Sequence, residues 1–197
     1  MNFKLIGLTA FGKEKKHLKL SLIGEEKGKI EYVISEGTYR GIGCPLSGEM
    51  LPQELLDKIA KEDEELRAYR KAVNILSYAD NSRTRLTLKL KRAGFSSAAV
   101  ESTVASLIRA GFLDDARQVK LRALGLWRDR HYGPYRIIKK LTSEGYSASA
   151  AKAAISELRA SAEIDFEYSR NAIIEKYQPQ NYEEKQKLLY KYGYLYD

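Results

Sequence analysis

The apolar positions change period partway along the chain. Over residues 1–45 they alternate. Leu18, Leu20 and Leu22 fall on one side of "HLKLSL", with His17, Lys19 and Ser21 on the other, and Ile30, Tyr32 and Ile34 repeat the arrangement in "KIEYVIS". A period of two marks half-buried strands. "GKEKK" and "GEEKGK" break the runs in the manner of turns, so a small antiparallel sheet of three strands is expected. "GCPLSGEMLP" (43–52) has the Gly and Pro content of a linker. From Pro52 onward the spacing becomes helical, and Pro52 with acidic residues close behind it suits a helix N-terminus.

The helical part repeats itself. "KLKRAGFSSAAV" (89–100) returns 51 residues later as "KLTSEGYSASAA" (140–151), and "LLYKYGYLYD" (188–197) begins the phrase a third time. Each unit reads as three helices. In the first, Tyr69, Ala72, Val73 and Leu76 form an apolar stripe, Ser82 caps the second helix, and Leu86, Leu90 and Ala93 line its inner face. Gly94 fits the left-handed position that ends helices, Phe95 packs behind it, and Ser96 caps a third helix whose Val100, Val104 and Leu107 point inward. Gly111 and Phe112 repeat the stop.

The second unit has the same syntax. Asp114 caps a long helix that Gly133 and Pro134 end. Ile137 and Leu141 match Leu86 and Leu90, Gly145 and Tyr146 match Gly94 and Phe95, Ser147 caps, and Ile155 and Leu158 match Val104 and Leu107. The third unit has a long helix from about Glu163 to Tyr177, a break at Pro179, a capping box at Asn181 and Glu184, and a last helix ending at Gly193-Tyr194. A further helix is expected there, so Tyr194 and Leu195 are expected to lack cover within the chain.

The fold class expected is therefore mainly α: tandem three-helix repeats, elongated and curved by stacking, preceded by a small N-terminal antiparallel β-sheet. The divisions are 1–50 for the β-rich region, 51–65 for a linker helix, 66–113 and 114–161 for two full repeats, and 162–197 for a third lacking its last helix. The different period and charge of the first 50 residues suggest a separable unit.

Charge sharpens the picture. The net charge of the 197 residues is +8. Residues 1–65 carry 10 Lys/Arg against 12 Asp/Glu, whereas residues 66–140 carry 17 against 5. A surface that lacks acids in this way points to a polyanionic partner. The candidate contacts are Arg83, Arg85, Lys89 and Arg92 on one helix, Arg117, Arg122, Arg128 and Arg130 on the long helix of the second repeat, and Arg136, Lys139 and Lys140 on the next. Trp127, Tyr132 and Tyr135 lie among them and could stack on bases or, for Trp127 above all, simply fill the core.

Catalytic chemistry is not in view. The histidines are His17 and His131, the one cysteine is Cys44, and neither metal-ligand spacing nor a phosphate-binding glycine loop occurs. Asp114-Asp115 is explained by a helix start. No enzyme, cofactor or metal is expected. One cysteine, no apolar run of membrane-spanning length and no secretory leader suggest a cytoplasmic monomer.

"GFLDDAR" (111–117), "HYGPYRIIKKL" (131–141) and "SEGYSASAA" (143–151) together resemble RecX, the bacterial regulator of the RecA recombinase. The resemblance covers about residues 66–197. It implies tandem three-helix repeats and a protein that seats in the groove of RecA filaments on single-stranded DNA. Such a protein blocks ATP turnover, strand exchange and the co-protease activity of the damage response. The partners implied are the RecA filament and single-stranded DNA, met directly or through the filament. The sequence departs from the family at Gln118, where an aromatic is common. A stand-alone helical DNA-binding module is the alternative that the basic, all-helical repeats leave open.

Overall fold

In a computed structural model, residues 3–12, 16–24 and 28–194 are described. The turns expected at 13–15 and 25–27 lie outside them, as do Leu195 and Tyr196. Contacts divide the chain into two compact units, residues 1–75 with 90–105 and residues 76–89 with 106–197.

In the first unit, β1 (Phe3–Phe11), β2 (His17–Gly24), β3 (Gly28–Ser35) and β4 (Met50–Leu51) form an antiparallel sheet in the order β3-β2-β1-β4. Leu5, Leu20, Leu22 and Ile34 are fully buried on its inner face. Two features depart from the sequence reading. The stretch read as linker supplies β4, with Leu51 buried opposite Phe3; two residues are too few to show a period. A six-residue helix, α1 (Glu36–Gly41), follows β3, where Ser35 accepts the Thr38 N–H at its start.

The linker helix and the first helix of the first repeat are one element, α2 (Gln53–Tyr78). Its Leu56 and Ile59 belong to the same core as the sheet. Its buried Asp63 accepts the Val33 N–H at 2.8 Å, and Glu62 accepts that of Ser35 at 3.0 Å. These two carboxylates satisfy donors along the edge of β3, which would otherwise stand open to pairing with another strand. The sheet is thus built onto α2, and a cut at residue 50 would divide this core.

The remaining helices are α3 (Arg83–Arg92), α4 (Ser97–Arg109), α5 (Asp115–Arg130), α6 (Pro134–Ser143), α7 (Ala148–Ala160), α8 (Phe166–Tyr177) and α9 (Tyr182–Tyr192). Ser82, Ser96, Asp114, Ser147 and Asn181 each accept an N–H of the following turn, as their placement predicts. Leu86, Leu90, Val100, Val104, Leu107, Ile137, Leu141, Ile155 and Leu158 are buried. Val73, Ala93 and Phe112 are not. Phe112 is 59% exposed and the neighbouring Leu113 is buried in its place. α5 ends at His131, which takes the left-handed conformation, and Gly133 caps α6 instead of stopping α5.

The stop glycines show why the phrase recurs. In the second unit, Gly145 at the end of α6 has φ +91°, and a Cβ there would lie 2.6 Å from Ser82 Oγ at the start of α3. The Ser82 hydroxyl donates to the Glu144 carbonyl at 2.7 Å. Gly193, at the end of α9, meets the start of α6 in the same way. Its Cβ would fall 2.5 Å from the Arg136 backbone nitrogen, and one on Gly133 would fall 2.5 Å from Gly193 O. Gly133 N–H donates to Tyr192 O at 2.8 Å and Tyr135 N–H to Gly193 O at 3.2 Å. Each of these stop glycines therefore lets its backbone settle on the first turn of the preceding repeat's middle helix.

This contact also corrects the expectation for the C-terminus. Tyr194 is buried with Ile173 and Leu189, rests edge-on to Phe166, and donates its hydroxyl to His131 O at 3.2 Å. Burial pushes that hydroxyl up to about 12, so it remains a donor throughout the physiological range. α8 and the corner between α5 and α6 supply the cover that the sequence reading assigns to a further helix.

Gly94, at the end of α3, is left-handed as well (φ +89°), but nothing lies within 4 Å of a Cβ placed there. Gly94→Ala should therefore cost only backbone strain, roughly 1–2 kcal/mol. Gly145→Ala and Gly193→Ala should add an overpacking cost of about 1–3 kcal/mol, larger at Gly193, where the obstacle is backbone. Urea unfolding midpoints of the three variants, compared at equal slope, check this order.

A basic face with few acids

The sequence-selected cations have different fates. All are exposed except Arg136, which is half-buried. Arg122 is held in place: its Nε and a terminal nitrogen reach the two oxygens of Glu144 at 2.9 Å each. The Glu144 side chain is only 11% exposed. The Arg122 guanidinium holds that carboxyl below the usual range against the opposing effect of burial, with Lys140 and Arg85 contributing by charge. Lys140 stands 3.6 Å from the same carboxylate. Arg128 pairs with Asp129 at 2.9 Å, and Lys89 donates to the buried Asn81 at 2.6 Å. Arg136 lies over the Tyr132 ring, 4.4 Å from its centroid, and donates to Lys191 O.

Arg83, Arg85, Arg92, Arg117, Arg130 and Lys139 make no side-chain ion pair or hydrogen bond among the described residues. Arg92 falls in the first unit and the others in the second. Local packing brings part of this set together. The Arg83 N–H donates to Asp115 at 2.9 Å, so α3 and α5 begin side by side, with Arg83 and Arg85 on one and Arg117 on the other. Asp115 is thus a cap for a neighbouring helix as well as a residue of its own first turn. Arg130 stands apart from these, at the other end of α5.

The repeat places Arg85 and Arg136 alike, each three residues past the cap of its helix and beside the following stop glycine. The aromatic candidates divide. Trp127 packs on the core of the second repeat and donates Nε1–H to Asp165 O at 3.2 Å. Tyr132 is half-buried, edge-on to Tyr192. Tyr135 is 45% exposed. Lys191 and Tyr190, which sequence reasoning misses, line one groove with Tyr135, Arg136, Lys139 and Lys140. The signal for them is present in the repeat register, since α9 and α6 hold equivalent places. Among the described residues no cluster of His, Cys, Asp and Glu could hold a metal, and no helix is long and apolar enough to cross a membrane.

Residues 68–107, which run from within α2 to near the end of α4, match the family described as RecX, first three-helix domain. Over this stretch the chain carries a domain similar to the first three-helix domain of RecX. The matched stretch is nearly the first repeat delimited from the glycine and cap pattern. The fold agrees with solved RecX structures. A crystal structure of the regulatory protein RecX superposes with a TM-score of 0.70 over 97% of this chain and 94% of that one, at 18% identity. RecX from Lactobacillus salivarius gives 0.58 over 68% of this chain and 91% of its own, at 21% identity. No curated protein matches by sequence.

The pairing pattern separates structural cations from free ones. Arg122→Ala should lower stability by about 1–3 kcal/mol, because it strands a nearly buried carboxylate, whereas Arg117→Ala should stay within about 0.5 kcal/mol. Glu144 titrates lower in the folded state than in the unfolded one. Its contribution is therefore complete above the unfolded value of about 4.3 and disappears as pH falls through the folded one. Thermal melts of the parent and Arg122→Ala should differ at pH 7 and converge on acidification below about pH 4.

Proposed function

We propose that this protein is a non-enzymatic, cytoplasmic regulator that binds RecA-type recombinase filaments on single-stranded DNA and inhibits their ATP turnover, strand exchange and co-protease activity. The observation that carries the reading is the set of unpaired cations on the second unit of a chain that carries a RecX-like three-helix domain. Exposed cations without acidic partners repel one another, and a polyanion relieves the repulsion while releasing its own counterions. A filament presents phosphates and acidic protein surface together, so both parts of the basic face have something to meet. The protein acts as a monomer in this scheme, by occupying space and charge, with no chemical step of its own.

The test is recombinase ATPase on single-stranded DNA, with and without the protein. Inhibition by the parent is expected. Arg83→Glu, Arg85→Glu and Arg117→Glu combined should weaken it strongly while shifting the thermal melt little. The salt dependence of filament binding should flatten by about 0.7 for each phosphate that is no longer neutralised. Leu86→Ala should do the reverse, costing roughly 2–5 kcal/mol of stability through a core cavity. An inert parent overturns the proposal. DNA binding by that inert parent would favour a stand-alone DNA-binding module.

A further inference from the structure

The two glycine contacts of the second unit are alike in backbone and differ in their acidic residues. Where α6 ends on the start of α3, Asp115 and Glu144 stand among Arg83, Arg85, Arg122 and Lys140. Where α9 ends on the start of α6, an open groove of about 560 Å³ is lined by Arg136, Lys139, Lys140 and Lys191 with Tyr132 and Tyr135, and no carboxylate lines it. Arg136 is committed to the Tyr132 ring and to Lys191 O, so Tyr132 already has one face covered. Tyr135 differs. Its ring makes no aromatic, cationic or hydroxyl contact among the described residues, although its backbone is fixed by the bond to Gly193 O. An anchored residue with an open π-face beside several ammonium groups has the two components of a single-strand site, a stacking platform and a phosphate track.

We infer that this groove binds single-stranded DNA directly, with phosphates on Lys139, Lys140 and Lys191 and one base stacked on Tyr135. The inference rests on the reading above, that the basic face of the second unit meets DNA, and assigns the contact to one place. A duplex is a poor occupant, because its bases are already stacked on each other and offer Tyr135 no free face.

The experiment is fluorescence anisotropy of the full chain with three probes: a labelled oligo(dT), an abasic strand of the same length, and a duplex. Tyr135→Ala should weaken oligo(dT) binding by about 5- to 100-fold, the worth of one base–aromatic stack. Tyr135→Phe should bind as the parent does, and Tyr135→Ala should match the parent on the abasic strand. Lys139→Glu should weaken binding of both single strands and lower the salt slope by about 0.7. Parent-like binding of oligo(dT) by Tyr135→Ala, or an equal loss on the abasic strand, overturns the stacking assignment. The ATPase assay keeps the two readings apart. A parent that inhibits the recombinase yet binds no free strand overturns the groove and leaves the filament reading standing. Tyr135-dependent strand binding by a parent that leaves the recombinase untouched upholds the groove and overturns the filament reading.

Discussion

The second unit depends on the approach of one bare backbone to another. A helix must end in a left-handed residue if the chain is to double back sharply, and glycine takes that conformation without strain. Here the same residue has a second duty at Gly145 and Gly193, because the ended helix rests on the first turn of the helix one repeat earlier. A Cβ would hold these backbones apart, and the bonds from Ser82 to Glu144 O and from Gly133 to Tyr192 O could not form at their present length. Helix capping and repeat stacking are thus one requirement. Gly94 illustrates the contrast: it ends its helix in the same conformation with open space where a Cβ would be.

This geometry also governs the charges. A helix N-terminus that receives a neighbour's stop carries a cation three residues in, Arg85 in one case and Arg136 in the other. What surrounds that cation then differs by sequence. At the first contact Asp115 and Glu144 absorb charge and turn Arg122 into a structural residue. At the second, the guanidinium is satisfied by a ring and a carbonyl, neither of which carries net charge. No carboxylate lines the groove there, and of its lysines only Lys140 stands near an acid, Glu144. Excess positive charge in a sequence therefore has to be sorted by pairing before it is read as a binding surface; Arg122 and Lys139 look equivalent along the chain and are not.

Much of the fold is legible in the sequence because caps, stops and core positions agree over a fifty-residue period, and each is enforced locally. Ser82, Ser96, Asp114, Ser147 and Asn181 cap as expected because a hydroxyl, carboxylate or amide before a helix has an immediate donor to satisfy. What the sequence conceals is decided by partners distant in the chain. β4 exists because Phe3 and Leu5 need a neighbour on the open side of β1, which two residues near position 50 provide. Gly133 is a natural stop for α5, but it is needed instead for its contact with Gly193, so His131 takes the strained conformation. Phe112 matches Phe95 and Tyr146 in the pattern, yet burial passes to Leu113, one residue on.

The candidate site is legible as composition and illegible as geometry. The acid-poor stretch from 66 to 140 includes one wall of the groove, on α6, but Lys191 lies about 50 residues beyond it and reaches the groove because α9 repeats the placement of α6. The first glycine contact needs its carboxylates: Glu144 O accepts from Ser82 while its side chain gathers Arg122 and Lys140, so that one residue fixes both backbone and charge. The second contact reaches the same backbone geometry through two main-chain bonds, from Gly133 and Tyr135, and needs no acid. Because the stacking of the third repeat on the second is secured by main-chain bonds, it needs no acid, and no carboxylate lines the groove beside Lys139 and Lys191.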